Sequence, residues 1–186
     1  IGVSIPNTTY LERTISSTST SWFDLNDKLT IKLISNYESY SHFVVDFSFY
    51  AVITAGARLW FKLFDSDVGY IDNYYQPSYL NDTMSQCFLD TNGASDFAGV
   101  HNVRFLVKNY PSNTTKNIRV ACWVITSSGH KVIFKSGPFV LGSTSNPSTS
   151  YDKYPPQFLQ AHKLLSSANI NNNSPTGWSA PSEEDY

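Results

Sequence analysis

The sequence predicts an all-β protein, an antiparallel two-sheet β-sandwich in which a jelly roll is the favoured arrangement. Segments of alternating apolar and polar residues recur along the chain, and this period of two is typical of half-buried strands. Turn-forming residues separate these segments, and helical spacing of apolar residues is nearly absent. An immunoglobulin-like sandwich is the alternative, but the cysteine-tryptophan-cysteine signature of that fold is missing.

The alternating pattern extends over residues 28–142, which we predict to form the β-sandwich domain. Residues 1–27 lack helical spacing and are predicted to be an extended N-terminal arm. Residues 143–186 are rich in Ser, Asn and Pro and are predicted to be a tail. Within that tail, residues 155–168 are compatible with a short helix, since Phe158, His162 and Leu165 would share one helical face.

The first strands of the domain show the alternation most clearly. Leu29, Ile31 and Leu33 predict one strand, and residues 42–54 predict a long second strand with Phe43, Val45, Phe47 and Phe49 on one face. A third strand is predicted over 58–64, after Ala55-Gly56, with Leu59, Phe61 and Leu63 on one face. Two alternating segments joined by a turn that contains glycine indicate a β-hairpin.

The second half of the domain combines long connections with further strands. Polar residues predict loops over 65–82 and 109–117, and shorter strands are expected over 85–89 and 100–107. Residues 118–126 are apolar on both faces, which predicts a central strand covered on both sides. Strand segments over 131–135 and 138–141 complete the pattern.

Composition argues against two classes of partner. Charged residues make up only 15% of the chain, and the formal net charge is −2. Because phosphate contacts need clustered Lys and Arg, the chain is not expected to bind nucleic acid by itself. No apolar run approaches the length of a membrane span, about 20 residues, so no membrane partner is expected.

The chain begins at Ile1 and its one methionine is Met84, which indicates a cleaved or trimmed N-terminus.

No pattern in the sequence indicates catalysis, so we expect no catalytic, cofactor-binding or metal-binding residues, and no enzyme activity. None of the four histidines lies within metal-ligand spacing of another histidine or a cysteine. The segment Asp65-Ser66-Asp67 resembles a calcium loop in composition, but Tyr70 and Gln76 occupy the positions where an EF-hand needs Gly and Glu. An irregular carboxylate site remains the alternative to a solvated loop.

The two cysteines, Cys87 and Cys122, lie within apolar runs. Buried thiols commonly act there as small hydrophobic side chains, so we favour thiols over a disulfide.

The most unusual local feature is the cluster of Tyr70, Tyr74, Tyr75 and Tyr79 in one polar loop. Tyrosine offers a rigid contact surface with a polar end, so these residues are a candidate protein or carbohydrate interface. The alternative is that several of them fold back over the end of the sandwich. Phe158 and Trp178 are further candidate interface residues, as anchors through which the tail contacts other chains or the outer wall of its own sandwich.

Between about Lys28 and Gly142, the order of features resembles the small jelly-roll capsid proteins of picorna-like plant viruses, such as comoviruses, fabaviruses and cheraviruses. The strand KLTIKLIS is followed by the long pair HFVVDFSFYAVIT and ARLWFKLFD, and the last strand ends at FKSGPFVLG before a Ser/Pro-rich tail. The resemblance implies a structural polyprotein product of the virion, present in the host cytoplasm during assembly. It would assemble with other capsid chains into an icosahedral shell around an RNA genome.

Two other functions remain open from the sequence. One is a carbohydrate- or protein-binding β-sandwich module. The other is a plant-virus movement protein, whose superfamily also has a β-sandwich core with an aspartate after a strand, as in LFDSD. The acidic end of the chain, Glu183 to Asp185, differs from the basic arms of many coat proteins, so a direct contact with RNA is left open.

Overall fold

Two antiparallel sheets packed face to face form the framework of the protein in the computed structural model. The structure describes residues 11–27, 29–36, 40–54, 56–68, 77–81, 96–126, 129–136, 155 and 157–164. The elements are β1 (Leu11–Ile15), β2 (Phe23–Asp24), β3 (Ile31–Ser35), β4 (Tyr40–Ile53), β5 (Arg58–Asp65), α1 (Ser78–Asn81), β6 (Phe97–Pro111), β7 (Thr114–Ile125), β8 (Val132–Ser136) and β9 (Phe158–Leu164). The predicted all-β sandwich is confirmed.

The first sheet is built around β4, whose 14 residues pair along both edges. β6 pairs with one edge of β4, and the other edge pairs with β9 over 42–48 and with β8 over 50–53. β1 extends the sheet beyond β8. In the second sheet β7 is central, with β5 along one edge and β3 and β2 along the other.

The strand pairs are nested. β1 pairs with β8, β3 with β7 and β4 with β6, so the first half of the chain pairs in reverse order with the second half. In sequence, β5 and the connection to β6 lie between the two strands of the innermost pair, β4 and β6. Further pairs between β4 and β8 and between β5 and β7 join the nested pairs into two sheets.

The core between the sheets is aromatic at its centre. Phe47, Phe49 and Phe134 come from the first sheet, and Phe61 comes from the second. The ring centroids of Phe49 and Phe61 are 4.9 Å apart, and those of Phe47 and Phe61 are 5.7 Å apart. The predicted inward face of β4 is confirmed, because alternate residues from Phe43 to Ile53 are buried.

The predicted hairpin over residues 42–64 is wrong. β4 and β5 belong to different sheets, and the chain passes from one sheet to the other between Ile53 and Arg58. Gly56 has a φ of 82° in this turn, and the Ala57 N–H donates to the Thr54 carbonyl. The alternating pattern is the same for a hairpin and for such a crossing. Here the apolar faces of the two strands pack on each other instead of their edges pairing.

The predicted loop over 109–117 is also wrong over most of its length. β6 continues to Pro111 and β7 begins at Thr114, so only residues 112–113 form the turn. The polar side chains that suggested a loop lie largely on the outward side of these strands, where polar residues meet water. The predicted strands over 85–89 and 138–141 lie outside the described residues.

The predicted helix over 155–168 is replaced by a strand. β9 pairs antiparallel with β4, and Leu159 and Ala161 are buried in the core. Pairing with the open edge of β4 satisfies the backbone of this segment, and an alternating pattern buries those two side chains. Part of the predicted tail is therefore integral to the sandwich.

β8 and β9 follow one another along the same edge of β4. The Gln157 N–H donates to Ser136 Oγ at 3.0 Å, which joins the end of β8 to the start of β9. The Gln157 side chain accepts a hydrogen bond from Asn26 Nδ2 in the buried interior. β1 and β2 likewise belong to the sheets, so the sandwich extends beyond the predicted boundaries of 28 and 142 on both sides.

Among the described residues, none of the helical segments is long and apolar enough to cross a membrane.

Candidate functional site

Three of the four tryptophans of the chain lie together on the outward face of the second sheet. Trp60 in β5 is directly opposite Trp123 in β7, and Trp22 lies immediately before β2. The rings of Trp22 and Trp123 meet edge to face, with centroids 5.9 Å apart. With Ile125, which is 38% exposed, they line a shallow depression that we call the tryptophan patch.

The alternation of β5 and β7 places these rings outward. Leu59 and Phe61 point into the core on either side of Trp60, and Cys122 and Val124 do so on either side of Trp123. A tryptophan between two inward-facing residues must therefore lie on the opposite face of the strand.

The segment before β2 holds the third ring over the sheet. The Ser19 N–H donates to the Val124 carbonyl at 2.8 Å, and Ser19 Oγ accepts from the Val124 N–H at 3.1 Å. Thr18 makes a similar pair of hydrogen bonds with Thr126. These contacts extend the pairing along the edge of β7, and Trp22 is thereby fixed beside Trp123.

Lys62 lies beneath the patch and is only 2% exposed. Its Nζ lies 4.5 Å from the centroid of the Trp22 ring, a cation–π arrangement that stabilises the ring position. The four lining residues carry no acid or base, so the patch is suited to apolar contact and aromatic stacking, not to proton transfer.

An ion-pair network occupies another part of the same sheet. Arg119 contacts the Asp24 carboxylate at 2.8 Å and donates from Nε to Thr30 Oγ1 at 2.9 Å. From the first sheet, the Arg13 guanidinium donates to the Asp24 carbonyl at 2.6 Å and lies 4.4 Å from the centroid of the Phe23 ring. Arg13 therefore joins the two sheets at this edge, which is a structural role.

The carboxylates of the segment Asp65-Ser66-Asp67 are engaged within the protein. Asp65 is 2% exposed, lies 3.2 Å from Lys116 Nζ and accepts a hydrogen bond from the Asp67 N–H. Asp67 accepts from the backbone N–H and from Nδ2 of Asn117, and these hydrogen bonds hold the pKa of Asp67 below its ordinary value. Among the described residues, no group of three or more His, Cys, Asp or Glu side chains is arranged to hold a metal ion.

Of the predicted tyrosine cluster, the structure describes Tyr79. This residue lies on α1, and its ring centroid is 4.9 Å from that of the buried Tyr110. The Tyr110 hydroxyl in turn donates to the Leu33 carbonyl. Burial, with Asp65 and Asp67 nearby, raises the pKa of Tyr79 to about 12. Tyr79 thus packs against the core of the sandwich.

Of the six candidate interface residues, the structure describes Tyr79 and Phe158. Phe158 is half-buried at the start of β9 in the first sheet, opposite Ser48. Tyr70, Tyr74, Tyr75 and Trp178 lie outside the described residues, as does Cys87. Cys122 is buried on the inner face of β7.

The sequence interpretation missed the tryptophan patch because it treated both faces of residues 118–126 as covered. The central position of β7 is confirmed, and its inner face is buried. On the outer face, however, Trp123 is only half-buried and Ile125 is exposed. The available signal was Trp60, which alternates with the core residues and shares its face with Arg58 and Lys62.

A scan of protein-family models and a search of curated proteins returned no match to this chain.

Proposed function

We propose that the chain is a structural subunit of an icosahedral virus shell, which assembles with other capsid chains around an RNA genome. The observation that carries the proposal is the nested pairing of β1 with β8, β3 with β7 and β4 with β6. It supports a jelly roll over the same part of the chain that resembles the capsid proteins of picorna-like plant viruses.

The argument for the jelly roll is topological. A jelly roll forms when a long antiparallel hairpin folds over, so that strands pair in nested order and successive strands alternate between two sheets. Here β3, β4, β5, β6 and β7 alternate between the sheets in this way. Both viral capsid domains and lectins use this fold, so the fold narrows the function without fixing it.

The outward surfaces support a role in assembly. The tryptophan patch is an apolar aromatic surface, and aromatic residues are enriched where proteins contact one another. A weakly charged chain with a net charge of −2 fits a wall that encloses RNA without binding it unaided. We further propose that the chain acts through these surfaces and not as an enzyme.

Gradient sedimentation of the native protein tests this proposal. The chain should sediment with large particles of uniform size that also contain RNA protected from added ribonuclease. Disruption of the particles should move the chain to the top of the gradient and expose the RNA. A native chain that remains at the position of a monomer would contradict the proposal.

A carbohydrate-binding module is the second candidate, and the tryptophan patch is the observation that favours it. Half-buried indole rings on the outer face of the sheet offer stacking surfaces for the apolar faces of sugars. Titration of the tryptophan fluorescence with soluble oligosaccharides tests this function. Saturable quenching that disappears in Trp60→Ala and persists in Phe158→Ala would support the module and count against a purely structural role.

A further inference from the structure

β6 is held in the structure mainly by its pairing with β4. The two strands pair from Phe97 to Pro111 on β6, and among the described residues no strand pairs with the other edge of β6. Val103, Phe105 and Val107 bury the middle of β6 in the core. One end of β6 carries Tyr110, which is fully buried and donates to the Leu33 carbonyl, so this end is fixed like the middle.

At the other end, His101 packs between two phenylalanine rings. It lies directly opposite Phe49 on β4, with ring centroids 5.4 Å apart, and its centroid is 4.8 Å from that of Phe97. His101 Nε2 is buried and has no hydrogen-bond partner among the described residues. Burial lowers the pKa of this imidazole.

Among the described residues, no acidic side chain on the strands packed against His101 compensates a charge on its ring. The inward faces of β4, β5 and β8 beside Phe49 carry no titratable side chain. On β6 itself, Arg104 and Lys108 point outward, and Asp96 precedes Phe97 at the start of the strand. The faces of the phenylalanine rings attract a cation weakly, but a buried N–H without an acceptor loses its hydration.

We propose that His101 makes the attachment of the end of β6 that begins at Phe97 acid-sensitive, because a proton on this ring places an uncompensated charge between Phe49 and Phe97. The buried middle of β6 stays in place, so mild acid frees this end of the strand without unfolding the sandwich. This device is independent of the proposed shell function.

The sign of the effect follows for His101 from its lowered pKa. The unfolded chain binds the proton more tightly than the folded chain, so stability is complete above the unfolded value of about 6.5. Stability falls as the pH drops from there towards the folded pKa. The unfolding equilibrium constant should rise in this window by up to about tenfold per pH unit.

Urea unfolding of the full chain between about pH 7.5 and 5 tests the contribution of His101. His101→Phe keeps an aromatic ring that does not titrate, and it should flatten the pH dependence. His162→Gln is the matched control, because this exposed histidine lies in β9 and should leave the pH dependence unchanged. An equally steep pH dependence in His101→Phe and the unmodified chain would overturn the proposal.

NMR of the unmodified chain tests the proposal without relying on the fold of a variant. The His101 ring should titrate below the ordinary histidine value, and the backbone amides at the start of β6 should lose protection from exchange as this ring takes up its proton. Amides at the start of β6 that stay protected while His101 titrates would overturn the proposal.

Discussion

Phe61 is the side chain through which the second sheet reaches the aromatic centre of the first. It is fully buried and its ring lies within 6.4 Å, between centroids, of Phe47, Phe49 and Phe134. Aromatic side chains bury large apolar areas, and their loss leaves a cavity that a packed core closes only in part.

We therefore expect Phe61→Ala to lower the free energy of unfolding by about 3 to 5 kcal/mol in urea denaturation. Trp123→Ala is the matched comparison, because Trp123 is in the neighbouring strand but is only half-buried on the outer face. Its cost should be smaller, about 1 to 2 kcal/mol, since less apolar area is removed from contact. A larger cost for Trp123→Ala would contradict the assignment of inner and outer faces.

At the scale of single residues, the sequence predicts most of the core. Alternation places Phe43, Phe47 and Phe61 correctly, because a side chain in a strand can only take one of two faces. Alternation alone does not show which outward residues are left uncovered. Trp60 and Trp123 were therefore missed as a pair, since their proximity depends on the register between β5 and β7.

At the scale of elements, the structure and the sequence prediction differ most at β9, which is a strand where a helix was predicted. A helix over 155–168 would place Phe158, His162 and Leu165 on its buried face. The strand instead buries Leu159 and Ala161, while Leu164 of the same strand is 41% exposed.

Leu159→Ala should accordingly lower the free energy of unfolding by about 2 to 5 kcal/mol, as for other buried leucines. Leu164→Ala is the control in the same strand, and its effect should lie within about 0.5 kcal/mol. The measurement is urea denaturation of both variants beside the unmodified chain. Equal effects at the two positions would contradict the strand.

The wrongly predicted hairpin over 42–64 has a simple physical origin. A hairpin and a crossing between sheets share the same local pattern, and only the partners of each strand distinguish them. β4 finds its partners in β6, β8 and β9, all of which are distant in the sequence. Local periodicity carries no information on such pairings, so the strands themselves were more predictable than their connections.

At the scale of the whole molecule, the nested pairing accounts for the two sheets. It also shows why the predicted boundaries were too narrow. β1 closes the outer pair of the nest with β8, and β9 fills the edge of β4 that β8 leaves open. A chain that ends at residue 142 would lack β9, and the core residues that Leu159 covers would lose this contact. Such a truncation would therefore disturb folding as well as assembly.

The central claim is that this sandwich is a building unit of a closed icosahedral shell. Electron cryomicroscopy of particles purified with the native chain tests it most directly. We expect icosahedral symmetry and density for the nested sandwich in the shell wall, with β4 central in one sheet and β7 central in the other. Particles that lack the chain in their wall, or a native chain found only as a monomer, would contradict the claim.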